Sequence, residues 1–446
     1  MILLRKSRLM FWLARELLRK YTFALVLGFT IGVGCMYGIW RLIPTIRALW
    51  FTPSITIGIV GEFTPSSLPY FIQKEISMGL TNRGIDGTAL PGLADTWTAT
   101  DSGKTYIFHL RRDLLWHDGK PVGAYDVNYN IRDVLFTPVD DGTLRASLKD
   151  IYSPFPVLVS KPILLSGLMG FGDYKVNTLR LKGQRVEFLK LIPYIDRSLP
   201  VKIYRFYTTE TKALLAYKLG DIDRIESISS IQDIGSQTGT NTVEKTNYDR
   251  IVSLFFNTKD TRLSERSFRQ ALGYGVPQVP FEKAYSPIHK NSWAYTDKVR
   301  HYDPSVDQAK TLLEKSASAS QSGQLVLTTF SQYVDIAETI ASAWTALGVE
   351  TKVRVENSVP ADYQVLLSAQ NIPPDCDQYP FWHSTQQETN ITGYTNIKID
   401  KILEDIREEF NQERRKKLCA DFQRFIVEDA PVLFLYYPKL YTIERK

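Results

Sequence analysis

Residues 325–356 read LVLTTFSQYVDIAETIASAWTALGVETKVRVE, and this segment decides the fold class. Leu325–Phe330 is a short run of apolar and β-branched residues, the composition of a strand. Asp335–Leu347 has the composition and length of a helix, and Gly348 follows as its stop. From Val349 the pattern changes period. Val349, Thr351, Val353 and Val355 face one way, while Glu350, Lys352, Arg354 and Glu356 face the other, as on a pleated strand. Strand, helix and strand at this spacing form a βαβ unit with its two strands parallel.

The same punctuation recurs on both sides of this unit. Upstream, Leu93–Thr100 and Thr105–Leu110 flank Asp101-Ser102-Gly103-Lys104, which reads as a hairpin turn rather than a phosphate-binding loop, since Thr98 stands where that loop needs glycine. Tyr174–Leu181 and Val186–Leu191 form a second expected hairpin around Lys182-Gly183-Gln184. Thr209–Leu219 reads as a helix closed by Gly220, and Asp303-Pro304 as the N-cap and first residue of another. Downstream, Asp400–Phe410 and Arg414–Glu428 are helical, and Pro431–Tyr437 is an apolar, aromatic strand. The chain has 446 residues, more than one core usually serves, so two α/β bodies are expected.

Charge separates the N-terminus from the rest. Residues 1–50 carry eight basic groups and one acid, whereas the remaining chain carries 46 basic and 47 acidic groups. The main body is therefore near neutral, with no electrostatic footprint for nucleic acid. Tyr21–Trp40 is an uncharged run of 20 residues bounded by Lys20 and Arg41. At about 1.5 Å per residue such a helix spans about 30 Å, the hydrocarbon thickness of a bilayer. Six basic residues precede it and only Arg41 and Arg47 follow closely. The positive-inside rule then puts residues 1–20 in the cytoplasm and the large domain outside, with Trp40 and Trp50 as interface anchors. A cleaved signal, or a lipoprotein signal using Cys35 after Gly34, is the alternative weighed. Gly32 occupies the position where the lipoprotein pattern usually has leucine.

The sequence carries no recognisable catalytic pattern. His109, His117, His289, His301 and His383 are scattered without metal-ligand spacing, and no serine sits in a nucleophile elbow. Cys376 and Cys419 are read as free thiols, with pairing outside the cell as the alternative. Asp375 and Asp377 are read as turn formers rather than an acid–base pair. Neither enzyme activity nor a cofactor is expected. Aromatic residues are the informative feature. Tyr379, Phe381, Trp382, His383 and Tyr394 crowd a polar stretch, Asp375–Asn396, and Phe63–Tyr70 has similar character. Such rings either pack between lobes or wall a ligand pocket.

Several of these stretches, taken in order, resemble one family. LPGLADTW (90–97) and DSGKTYIFHLRRDLLWHDGKPVGAYDV (101–127) are similar to the signature of the family 5 extracellular solute-binding proteins, the oligopeptide, dipeptide and nickel receptors of ABC importers. KLGDID (218–223), LFFNT (254–258), FRQAL (268–272), YDPSVDQAKTLLEK (302–315), ALGVE (346–350) and DAPVLFLY (429–436) continue the resemblance in family order. The resemblance implies a two-lobed periplasmic-binding-protein-like (type II) α/β fold with solute held between the lobes. Charge and hydropathy set off the cytoplasmic segment 1–20 and the anchor 21–40; the resemblance divides the rest into lobe 1 over 51–250 with a reduced subdomain near 65–150, lobe 2 over 251–428, and a return to lobe 1 over 429–446. The resemblance implies as partners a peptide or other small solute and an ABC permease, and the uncharged run Tyr21–Trp40 adds the bilayer. Peptide receptors of the family place an aspartate for the peptide amino group just before the segment matching Asp375–Trp382. Here that position falls in Gln370-Asn371-Ile372-Pro373-Pro374, without an acid. The expected ligand contacts are Glu62, Phe63, Tyr379, Trp382, His383 and Tyr394, with Glu62 as the substitute acid. A non-transport surface interaction protein on the same fold is the alternative function.

Overall fold

The computed structural model describes residues 12, 15, 19–23, 26–38, 41, 53–231, 239–320 and 323–445. Most of the basic segment, Trp40 and Trp50 lie outside the described residues. Within them, Arg19–Gly38 is one apolar helix, long enough to cross a membrane and packed against nothing.

Two mixed sheets make the body. The first runs in the order Thr240–Thr246, Lys439–Arg445, Arg224–Ile228, Ser54–Val60, Val201–Tyr207, Arg185–Pro193, Tyr174–Lys182. Its centre is parallel, with Ile57 opposite both Tyr204 and Arg224, and its flanks are antiparallel. The second sheet runs Glu282–Lys283, Val432–Tyr437, Arg250–Phe256, Val365–Asn371, Leu325–Phe330, Thr351–Glu356. Leu325–Phe330 and Thr351–Glu356 pair in parallel, Leu325 opposite Thr351, as the βαβ pattern requires. Arg250–Phe256 is buried along nearly its whole length because helices cover both faces. Ile251 and Phe255 pack under Ile397–Glu408 and Gln412–Asp429 on one side, while Val252, Leu254 and Phe256 pack under Arg266–Tyr274 and Val334–Ala346 on the other.

A four-stranded antiparallel sheet, Ala94–Thr100, Thr105–Leu110, Thr143–Leu148 and Val134–Asp140, forms a separate small body with its own core around Tyr106, Phe108, Trp116 and Phe155. Its first turn is the expected hairpin. Asp101, Ser102 and Gly103 all take positive φ there, which a three-residue reversal ending in glycine accommodates.

Two points depart from the sequence reading. The helix Val306–Lys315 is capped by Ser305, whose Oγ accepts from the Gln308 amide at 3.4 Å; Asp303 pairs with Lys283 at 2.5 Å instead. The chain also returns to the first lobe later than residue 429. Val432–Tyr437 is an inner strand of the second sheet, so the crossing falls at Pro438. The other crossing is Asn247–Asp249, between Thr240–Thr246 and Arg250–Phe256. The two crossings lie side by side, the Asn247 amide donating to the Pro438 carbonyl at 2.8 Å. Two short adjacent links between rigid sheets are the construction of a hinge.

Candidate functional site

Beside the hinge, both lobes line one cavity of 580 Å³. The first lobe contributes Tyr70, Phe71 and Lys74 from the helix Tyr70–Ile76, and Glu226 and Ser227 from the strand Arg224–Ile228. The turn Arg83–Gly87, between the paired strands Thr81–Arg83 and Ala89–Pro91, adds to the wall, as do Lys245 and Thr246 at the end of their strand and the crossing Asn247–Asp249, and the second lobe contributes His289, Asn291, Ser292 and Pro374. The size is that of a small-molecule site. Ser227 holds φ of 60° next to a register shift in its strand, a conformation that non-glycine residues adopt at a cost.

The floor of the cavity is a bridge between bodies. The Trp293 amide donates to the Asp86 carbonyl at 3.1 Å, and Gly87, at φ of 84°, lies so close to the Pro374 carbonyl that a Cβ there would collide with it. Beyond this bridge a second cavity of 350 Å³ opens between Trp97, Pro154, Trp293, Asp375 and Phe410. The lobes touch again there. The Ser153 amide donates to the Arg407 carbonyl at 2.7 Å, and the Tyr152 hydroxyl to Asp377 at 3.1 Å. The arrangement is closed at these points and open beside the hinge.

Electrostatics in the larger cavity are mixed. Glu226 pairs with Arg224 at 2.7 Å and accepts from Thr442 at 3.0 Å. Asp86 accepts from the Thr88 hydroxyl at 2.7 Å and from its amide, bonds that hold its carboxyl below the usual range. Burial pushes the His289 imidazole down; Asp249 at 3.7 Å opposes this, and Arg83 adds to it. His289 is thereby kept neutral near pH 7. Among the described residues no three His, Cys, Asp or Glu side chains gather as a metal site.

The expected contacts lie elsewhere. Glu62 is half exposed and paired with Arg185 at the start of the strand Arg185–Pro193. Phe63 packs edge-on against Phe206 at 5.7 Å in the first-lobe core. Trp382 is 2% exposed, sunk in the second-lobe core, with its indole N–H on Gln378 at 3.2 Å. Tyr394 is buried in the same core and its hydroxyl donates to Asp429. His383 is buried under Tyr379, ring centroids 4.0 Å apart, and its Nδ1 meets the Thr385 hydroxyl at 2.8 Å. Tyr379 alone reaches a groove, a separate one lined by Tyr152, Glu404 and Arg407. Tyr379, Trp382, His383 and Tyr394 thus share a neighbourhood, but none of the six lines the cavity beside the hinge.

The reason is the segment they sit on. Cys376 and Cys419 form a disulfide with Cα atoms 6.3 Å apart, contrary to the free-thiol reading. Flanking it, Asp375 pairs with Arg415, both 8% exposed, and Asp377 pairs with Arg407 at 3.0 Å. Asp375 also accepts from the Asp377 amide at 2.9 Å, so the expected turn is present as well. Three cross-links pin this loop to the helices Ile397–Glu408 and Gln412–Asp429, and the aromatic turn behind it is pulled into the core. The cavity residues that sequence reasoning missed carried weak signals. Tyr70 closes the aromatic Phe63–Tyr70 stretch, His289 was one of five scattered histidines, and Arg83, Glu226 and Tyr248 belong to no motif.

The result is a two-lobed α/β body with two adjacent crossings between its sheets and a cavity lined by both lobes beside them. The chain belongs to family 5 of the bacterial extracellular solute-binding proteins, whose model matches residues 88–151 and 139–390. Among curated relatives, the di/tripeptide-binding protein 1 of Pseudomonas aeruginosa is 21% identical over 80% of this chain and 82% of its own. The dipeptide-binding protein of Escherichia coli is 21% identical over 86% of each. Among solved structures, NikZ from Campylobacter jejuni in complex with Ni(L-His) aligns at a TM-score of 0.71 with 22% identity, covering 88% of this chain and 94% of that one. CtaP from Listeria monocytogenes aligns at 0.75 with 21% identity over the same shares.

Proposed function

We propose that this protein is a membrane-tethered receptor that captures a peptide-like solute between its lobes and presents it to the permease of an ABC importer. The observation that carries the reading is the 580 Å³ cavity lined by both lobes beside the Asn247/Pro438 hinge. A ligand touching both walls binds the closed form better than the open one, and closure follows from that difference alone. The names of the relatives, dipeptide-binding and nickel–histidine-bound, set the range of solutes to test. A thermal-shift screen of di- and tripeptides and of Ni–histidine is expected to give a stabilising subset. Gly87→Val, which wedges the Gly87–Pro374 contact open, is expected to weaken those ligands by about tenfold or more, because the closed fraction multiplies the apparent affinity. A complete absence of shifts, or ligands indifferent to Gly87→Val, contradicts capture by closure.

The tether is supported by the apolar helix Arg19–Gly38 with basic residues upstream, and the disulfide suits an oxidising compartment. Holding the receptor at the membrane raises its effective concentration at the permease. Protease added to intact protoplasts is expected to remove the large domain and leave an N-terminal stub. A fully protected chain, or a mature N-terminus beyond residue 35, contradicts the anchor.

A further inference from the structure

Charge is spread unevenly over the large domain. Residues 174–207 carry eight basic and two acidic groups, whereas the rest of the chain after residue 50 carries 38 and 45. The excess belongs to three neighbouring strands at one edge of the first sheet, Val201–Tyr207, Arg185–Pro193 and Tyr174–Lys182, and to the loop between the first two. Both acids already have partners: Glu187 lies 3.9 Å from Lys182, and Asp196 accepts from the Ser198 hydroxyl and amide. Arg180, Lys190 and Arg205 form no ion pair among the described residues.

These three cations share one face. Lys202 and Tyr204 reach Glu75 of the helix Tyr70–Ile76 on one side of the sheet, so Ile203 and Arg205, alternating with them, point to the other. Register puts Lys190 opposite Ile203, Phe188 opposite Arg205, and Arg180 opposite Phe188. The helix Glu210–Leu219 packs on this face only over the neighbouring strands, against Val60, Tyr207 and Ile225. Ile203 and Phe188 belong to none of the hydrophobic cores among the described residues. What remains is a sheet surface of half-buried apolar side chains interleaved with cations, the Arg180 guanidinium 4.8 Å from the centre of the Phe188 ring.

The chain from the apolar helix enters beside this face. Ser54–Val60 is the next strand, with Ser54 opposite Val201, and the Val201 amide donates to the Pro53 carbonyl at 2.8 Å. Arg41 and Pro53 are twelve positions apart. That length carries this corner of the sheet no more than about 40 Å from the end of the helix. At the same corner the loop after Pro193 exposes Tyr194 and Ile195, residue types suited to a membrane interface. Resting on the tether reading above, we infer that this face docks on an anionic lipid surface, with headgroup phosphates against Arg180, Lys190 and Arg205 and with Tyr194 and Ile195 entering the interface. Cations without acid partners, on a face that the rest of the chain leaves uncovered, complement a layer of phosphates. None of these five residues lines the hinge-side cavity, so the contact leaves the solute site free.

The test is hydrogen exchange on the full-length protein in nanodiscs of phosphatidylcholine alone or with about 30% phosphatidylglycerol. The free-edge amides of Tyr174–Lys182 and those of the loop Tyr194–Ser198 are expected to exchange about threefold or more slowly in the anionic discs. Salt at about 0.5 M is expected to remove the difference, because it screens exposed charges within a few ångströms. Arg180→Glu with Lys190→Glu is expected to abolish the slowing at an unchanged melting temperature. Arg180→Gln with Lys190→Gln, a milder pair should the reversal destabilise the sheet, is expected to reduce it. Slowing that survives both double substitutions, or slowing confined to another face, overturns the inference. A protein held in the disc but exchanging alike in both lipids also overturns it, leaves the tether standing, and turns the search toward an acidic protein partner. A protein that does not stay in the disc contradicts the tether and this inference with it.

Discussion

Trp382→Ala is expected to cost about 3–5 kcal/mol of folding stability, the range for deleting a large buried ring. The ring is 2% exposed and sits among Ile399, Leu403, Phe422 and Phe434, so its removal leaves a cavity that rigid helices cannot fill. The lost Gln378–indole hydrogen bond adds an unsatisfied buried amide. Chemical denaturation would read the loss as a lower midpoint at unchanged slope. The remaining folded protein should bind its ligand with unchanged affinity, because the ring faces no cavity between the lobes. A variant of wild-type stability with weakened binding would return Trp382 to the site.

Arg415→Met is expected to be as costly, again about 3–5 kcal/mol, for a different reason. Arg415 answers Asp375 with two nitrogens in a nearly closed pocket, and its Nε–H donates to the Ile406 carbonyl at 2.8 Å. Removing the cation leaves a buried carboxylate with no counter-charge. Asp375→Asn in the Arg415→Met background should recover a good part of the loss, since the uncompensated charge is gone. Denaturant melts of the two variants check this. A single variant within about 0.5 kcal/mol of wild type, the usual range for surface changes, would show that the pair is solvated.

These two residues mark where sequence reasoning stopped. The βαβ unit, the hairpins and the order of motifs were legible because each depends on local period and turn chemistry: Thr351–Glu356 alternates, Gly220 ends its helix at φ of 87°, and Asp101–Gly103 reverses the chain. The aromatic stretch Asp375–Asn396 was misread because its polar composition suggests a surface loop. Its burial comes from residues 30 to 43 positions away, Arg407, Arg415 and Cys419, which cross-link it from below. Spacing between Cys376 and Cys419 carries no sign of that proximity; only the packing of Gln412–Asp429 beside the loop creates it. The cavity was illegible for the same reason. Tyr70, Arg83, Glu226, Tyr248 and His289 come from five separate elements, and only the two-sheet arrangement around Asn247 and Pro438 gathers them.

The most direct test of solute capture between the lobes is a crystal structure of the protein with a ligand from the thermal-shift screen at saturating concentration. The account predicts ligand density in the hinge-side cavity, between Tyr70 and Arg83 on one wall and His289 and Ser292 on the other. Density confined to another cavity, such as the apolar one under Phe281 and Tyr302 in the second lobe, with the hinge-side cavity empty, would contradict it.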